Sequence, residues 1–283
     1  MKLVRYGIRG QEKPGMIDAA GALRDLSAHV ADIAGPALSI AELDRLRALD
    51  PKNLPLIQGM PRLGPCVGAV GKFLCIGLNF ADHAAEAGMT VPPEPVIFTK
   101  ATSAITGPDD EVIIPRGSTK TDWEVELGIV IGAPTKYVSE EDAPRHIAGY
   151  CVINDVSERE FQLERHGTWD KGKGCDTFGP IGPWLVTADE IADPHNLRMW
   201  LEVNGRRFQN GSTATMVYRP AFLVSYLSRF MSLQPGDVIS TGTPPGVGMG
   251  QKPPLFLKPG DRMELGIEGL GVQHQRVIAD TAA

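Results

Sequence analysis

The stretch DWEVELGIVIG, residues 122–132, decides how the chain folds. Trp123, Val125, Leu127, Ile129 and Ile131 fall on one side. Glu124, Glu126, Gly128, Val130 and Gly132 fall on the other. A period of two is the signature of a strand, here with one wholly apolar face turned to a core. Working outward, KFLCIGL (72–78), EPVIFTKAT (94–102) and AGYCVINDV (148–156) read as further buried strands. RMWLEVNGRRFQNGS (198–212) reads as a hairpin with Asn204-Gly205 at its tip, the strongest short hairpin signal. QPGDVISTG and KPGDRMELGI each read as a turn followed by a strand. The clearest helix is RPAFLVSYLSRFMSL (219–233), with Phe222, Leu223, Tyr226, Leu227 and Phe230 at helical spacing. The 32 glycines and 23 prolines are spread as punctuation, which favours a turn-rich sheet protein over a helical bundle. The expected class is a β-rich α+β fold.

The first seventy residues look distinct. LVRYGI is a short strand, and IDAAGALRDLS is two strands around Ala20-Gly21. SIAELDRLRALD is a helix with Ser39 as N-cap and Glu42 three residues on, a capping box. We therefore expect a small N-terminal domain over 1–70 and a main domain over 71–283. Across all 283 residues, 28 Lys and Arg stand against 34 Asp and Glu, a formal net charge of -6. That mild acidity argues against a nucleic-acid scaffold, which would show a basic footprint. No apolar run reaches the roughly 18 residues of a membrane span. The N-terminus has no apolar signal core, so the cytoplasm is the expected location. Cys66, Cys75, Cys151 and Cys175 follow no paired spacing and read as reduced thiols.

Composition does not explain Glu124 and Glu126. Carboxylates at i and i+2 of a strand share a side, roughly 7 Å apart by strand rise. A third acid, Asp155, ends the apolar run CVIN. Three convergent carboxylates without a Cys or His cluster describe a hard-cation site, suited to magnesium, manganese or calcium better than zinc. Taken alone, the pair fits the solvated face of an edge strand at least as well. The neighbours shift the balance. In NFADHAAEAG (79–88), Asn79 can cap a short helix and Gly88 can end it. His83 and Glu86 then share one helical face, the pairing that orients an imidazole as a general base. Residues 155–185 carry Arg159, Gln162, Lys171 and Lys173 without regular periodicity, as a functional loop would. STGTPPGVGMG (240–250) lacks the endings of a nucleotide loop. It reads as a tight wall bringing backbone N–H groups and Thr243 to a small anion.

The ordered segments GLNFADHAAE, FTKATSAITGP, DWEVELGIVIG, CVINDVSEREFQ, KGCDTFGPIGPWL, VNGRRFQNGSTATM and LQPGDVISTGTPPGVG resemble the fumarylacetoacetate hydrolase family from about Lys72 to Gly271. The resemblance implies a rolled, mixed β-sheet, a homodimer, and Mg²⁺ or Mn²⁺ held by Glu124, Glu126 and Asp155. It implies that His83, helped by Glu86, activates water. It places the substrate-polarising Arg, Gln and Lys on Arg159, Gln162 and Lys173, the last chosen over Lys171 by its distance from Pro180. It places Lys100 and Thr243 in the substrate pocket. Leu78 stands where some members have Arg, which weakens a decarboxylase reading.

The substrates so implied are 2-keto and 2,4-diketo acids. The extended similarity is to bacterial hydrolases of 2,4-diketo-3-deoxy sugar acids, such as L-2,4-diketo-3-deoxyrhamnonate, cleaved at a C–C bond to pyruvate and L-lactate. Ureidoglycolate lyase, isomerase of 2-hydroxyhepta-2,4-diene-1,7-dioate and decarboxylase activities are the alternatives on the same scaffold. A non-catalytic ligand sensor would have shed His83, Glu86 or Lys173, and all three are present.

Overall fold

The computed structural model describes residues 1–86 and 90–281, the side chains of residues 83–85 excepted. Strands β1 (Lys2–Tyr6), β2 (Lys13–Ile17) and β3 (Leu23–Asp25) form an antiparallel meander, followed by helix α1 (Ile40–Arg47). The Ser39 hydroxyl caps α1 by accepting from the Glu42 N–H at 3.3 Å. The reciprocal half of the capping box does not form, because the Ser39 N–H donates to Pro36 instead. The main body opens with β4 (Phe73–Gly77), α2 (Ala81–Glu86) and β5 (Val96–Lys100). Strands β6 (Ile105–Thr106), β7 (Val112–Ile114), β8 (Thr121–Asp122), β9 (Val125–Ile131), β10 (Ile147–Asn154) and β11 (Ser157–Glu158) follow. Two short helices, α3 (Arg159–Leu163) and α4 (Asp170–Lys173), lead to β12 (Gly179–Thr187). Next come the hairpin of β13 (Arg198–Val203) and β14 (Arg206–Ser212), then helix α5 (Pro220–Phe230). The chain ends in β15 (Val238–Ser240), β16 (Arg262–Ile267) and β17 (Gly271–Ala279).

Nine strands run in the order β3-β2-β1-β12-β10-β9-β15-β4-β5, with β6 beside β12 as the tenth. Most pairs are antiparallel, while β15–β4 and β12–β6 are parallel, so the sheet is mixed. A five-stranded sheet of order β14-β13-β16-β17-β7 packs against it. The N-terminal meander joins the large sheet through β1, which pairs with β12. Asn204 and Gly205 both take positive φ at the β13–β14 tip, as a type I′ turn requires.

The large sheet is covered on both sides. Leu127, Ile129 and Ile131 pack into one core with Met199 and Leu201 of β13 and Leu223 of α5. Val130, Cys151 and Ile153 face a second core shared with Leu3, Leu38 and Leu43 of the N-terminal region. On α5 the buried face is Leu223, Val224 and Leu227, while Phe230 is largely exposed. All four cysteines are free thiols. Among the described residues, no helix is long and apolar enough to cross a membrane.

Strand β9 lies between β10 and β15 and is buried at every residue. The edge-strand alternative for Glu124 and Glu126 therefore fails, since they are only 6% and 2% exposed. Four buried aliphatic side chains on the opposite face, roughly 1.5–3 kcal/mol each, offset the several kcal/mol that a buried carboxylate costs.

Candidate active site

Strand pairing gathers the three acids. Val125 lies opposite Asn154, and the Asp155 N–H donates to the Glu124 carbonyl at 2.9 Å. Asp155 thus emerges from β10 beside the pair on β9. One carboxylate oxygen from each of Glu124, Glu126 and Asp155 lies within 4.8 Å of the other two, and all three are buried. Glu126 accepts from the Ser240 hydroxyl at 2.6 Å and from the Gly242 N–H at 2.8 Å. Its carboxyl is held well above the usual range, first by burial and then by the charges of Asp155 and Glu124.

Three cations enter this cluster. The Lys173 ammonium bridges Glu124 at 2.8 Å and Asp155 at 2.7 Å. Burial alone would lower its pKa, but the charges of Asp155 and Glu124 outweigh that and raise it. Lys100 donates to the other Asp155 oxygen at 2.5 Å and to the Val156 carbonyl at 2.9 Å. Arg159 donates to Asp122 at 2.8 Å, Glu124 at 2.7 Å and the Gln162 side-chain oxygen Oε1 at 3.0 Å. The donors are hard oxygens, buried and close together. The Lys173 ammonium itself is a cation held between two of them. That donor set fits a small divalent ion such as Mg²⁺ or Mn²⁺.

Glu124, Glu126, Arg159, Gln162 and Lys173 line one cavity of about 140 Å³, while Asp155 is not among the lining residues and is joined to it through the Lys173 ammonium. Apolar side chains complete it: Ile76, Leu78, Phe98, Leu163, Trp169 and Met249. Burial orders the lining in depth. The charged groups are the floor, while Leu163 and Met249, 51% and 36% exposed, stand at the rim. The Phe98 ring joins the two, with the Lys173 ammonium 5.0 Å from its centroid and the Trp169 ring edge-on at 5.4 Å. A side chain at Gly77 would strike Trp169, since an added Cβ would come within 2.5 Å of Cζ3. The next residue, Leu78, has φ +54°, a left-handed conformation that costs a non-glycine residue roughly 1–2 kcal/mol. Such backbone strain persists where surrounding structure enforces it, commonly at functional sites.

The structure places the other expected residues as follows. Glu86 sits on α2 and accepts from the Gly246 N–H at 3.1 and 3.2 Å, docking the helix onto the 240–250 loop. The His83 side chain and Gly88 lie outside the described residues. Asn79 ties three segments together through Tyr218 and the Thr241 carbonyl. Thr243 lines the cavity, but its hydroxyl donates to the Val125 carbonyl and accepts from Gln209. Lys100 lies behind Asp155 and is not among the cavity-lining residues.

Two expectations need correction. The 240–250 loop does not reserve its backbone N–H groups for a substrate. Gly242 donates to Glu126, Gly246 to Glu86, and Gly248 and Met249 to Asp122. Residues 155–185 are not an irregular loop, because α3 and α4 place Arg159, Gln162 and Lys173 on the cavity floor and β12 follows. Sequence reasoning missed Asp122, fully buried and bonded to Arg159 and three backbone N–H groups. Its signal was an acid opening the apolar strand. It also missed Ser240, Phe98 and Trp169, which carry no such signal.

Comparison with known proteins places this arrangement. The profile of the family described as Fumarylacetoacetate (FAA) hydrolase C-terminal matches residues 72–278. A Burkholderia cenocepacia protein, named only provisionally as a hydrolase, is 68% identical over 277 residues, 98% of each chain. The solved fumarylacetoacetate hydrolase of psychrophilic Exiguobacterium antarcticum superposes with TM-score 0.84 at 35% identity, covering 99% of both chains. The maleylpyruvate hydrolase of Sphingobium sp. SYK-6, solved with manganese(II) and pyruvate, gives TM-score 0.80 at 28% identity, also over 99% of both.

Proposed function

The chain belongs to the fumarylacetoacetate hydrolase family, and from that premise we propose that it is a divalent-metal-dependent hydrolase cleaving the C3–C4 bond of a 2,4-diketo acid. One observation carries the reading: the buried cluster of Glu124, Glu126 and Asp155, whose two glutamates line a cavity together with Arg159 and Lys173. A dication on these carboxylates supplies Lewis-acid stabilisation for negative charge developing on the keto-acid head. Mg²⁺ and Mn²⁺ are the ions proposed, and the manganese and pyruvate of the Sphingobium enzyme support this choice.

The chain's own groups do the rest. His83, on α2 three residues before Glu86, takes a proton from water as the water oxygen bonds to the C4 carbonyl carbon. Lys173 and Gln162 donate to the oxyanion formed there. The C3–C4 bond then breaks, its electron pair passing into the enolate of pyruvate. C3 regains a proton, and C4 leaves as a carboxylic acid. Arg159, fixed by Asp122 and Glu124, retains further N–H donors on Nη1 and Nη2 for the substrate carboxylate. The deoxy-sugar diketo acids of the sequence resemblance and simple acylpyruvates share this head chemistry.

The test is pyruvate release from a set of 2,4-diketo acids by purified protein, before and after chelation with EDTA. Activity is expected to vanish with EDTA and return with Mn²⁺ or Mg²⁺. Undiminished turnover by metal-free protein, or isomerised product without pyruvate, would overturn the reading.

A further inference from the structure

We propose, building on the diketo-acid reading above, that the group carried at C4 of the substrate is short and apolar, an alkyl chain of a few carbons. It is neither the hydroxylated arm of a sugar acid nor an arm ending in a second carboxylate. The floor provides for one keto-acid head. Above it, the described lining is Ile76, Leu78, Phe98, Leu163, Trp169 and Met249, with Gly77 between them. Trp169 turns the carbon edge of its indole, Cζ3 and Cη2, toward Gly77. Leu163 and Met249 leave apolar surface in water at the rim, where ligand binding would cover it.

Of the polar lining outside the charged groups, Gln162 is assigned above to the oxyanion at C4, and Thr243 has other partners. The Thr243 hydroxyl, which does line the cavity, donates to Val125 and accepts from Gln209. A substrate hydroxyl placed there would lose its water without a replacement partner among the described residues. Cations near the rim are equally committed. Lys171 donates to the Arg165 and His166 carbonyls at 2.8 and 2.7 Å, Arg165 pairs with Glu160, and Lys120 pairs with Glu164. None of these cations lines the cavity. Among the described residues, a second carboxylate would meet apolar side chains, a costly placement for an unpaired charge.

The cavity, floor and apolar wall together, is about 140 Å³, so with the keto-acid head seated the room left limits the arm to a few carbons.

A matched pair of substrates tests this: 2,4-dioxohexanoate and its 5-hydroxy derivative, which is the 2,4-diketo-3-deoxyrhamnonate skeleton. Each is given to the Mn²⁺-loaded protein and pyruvate release is followed. We expect kcat/KM for the unsubstituted acid to be higher by about tenfold or more. It should rise about fourfold with the next methylene, in 2,4-dioxoheptanoate. The fumaryl-substituted diacid should rank below both unsubstituted acids. Equal or better use of the 5-hydroxy acid or the diacid overturns the apolar-arm proposal while leaving the hydrolase reading intact. If no diketo acid in the set releases pyruvate, the hydrolase reading itself has failed, and this proposal fails with it.

Discussion

At the floor of the cavity, Asp122 accepts from Arg159 and three backbone N–H groups, Asp155 holds two lysines, and Glu126 has a hydroxyl and an amide. At the rim, the side chains of Leu163 and Met249 stand partly in water. The acids of the floor are set by β9 and β10, in the middle of the large sheet, and its cations Arg159 and Lys173 are tied to those acids. The rim rests on a helix of five residues and on a loop. The difference separates two tasks. Holding several buried charges within reach of one another demands a scaffold that leaves no alternative arrangement. Recognising an apolar arm demands only shape, and its residues can change with little effect on the fold.

The largest expected effect is on stability and falls on the floor alone. Asp122→Ala leaves Arg159 with fewer counter-charges and strands the N–H groups of Gly248 and Met249. Breaking a buried pair of this kind costs about 3–5 kcal/mol, which at roughly 2 °C per kcal/mol lowers Tm by about 6–10 °C. Leu163→Ala, an exposed change at the rim, should stay within about 0.5 kcal/mol of the parent. Thermal denaturation of the two variants checks this. Equal shifts would erase the distinction between floor and rim.

The two regions also differ in how far the sequence disclosed them. The strict alternation of 122–132 set Glu124 and Glu126 on one face, and the apolar run before Asp155 marked it as a strand-end acid. Both signals are local, and both survive in the fold. That β9 is central depends on β15, more than a hundred residues away, so the burial of the acids was not local information. The 240–250 loop shows the same limit. Its glycines suggested an anion site, yet the anions are Glu126, Glu86 and Asp122 of the chain itself. Helices α3 and α4, of five and four residues, are shorter than the window in which helical periodicity can be counted. Phe98 and Trp169 meet only because α4 docks beside β5, where Asp170 accepts from the Thr99 N–H and hydroxyl. Nothing near either residue encodes the other.

An intermediate effect is expected where floor and rim join. Trp169→Ala removes the ring that packs on Phe98 and faces Gly77. If the apolar wall binds the arm of the substrate, kcat/KM for 2,4-dioxoheptanoate should fall roughly 10- to 50-fold, mostly through KM. For 2,4-dioxopentanoate, whose arm is one methyl group, the loss should be severalfold at most. Steady-state kinetics on both acids separates these outcomes. An equal loss on both would mean that Trp169 supports the floor, and the boundary between the regions would have to be redrawn above it.

The smallest effect is a gain, and it tests the rim by changing its chemistry. Leu163 is half exposed on the last turn of α3 and lines the cavity, so Arg can replace it with its stem on the same apolar surface and its head in water. Leu163→Arg would give the rim a cation that Lys171 and Arg165, held by carbonyls and by Glu160, do not provide. An exposed ion pair contributes about 0.2–1 kcal/mol, so use of the fumaryl-substituted diacid relative to 2,4-dioxohexanoate should rise by about two- to fivefold. Because the pair is exposed, the gain should shrink as salt shortens the Debye length from about 10 Å at 0.1 M to about 3 Å at 1 M. Measuring the ratio of kcat/KM values at both salt concentrations distinguishes a charge effect from a steric one. A ratio unchanged by the substitution would show that the arm does not reach Leu163, and would confine the specificity surface to Phe98, Trp169 and Leu78.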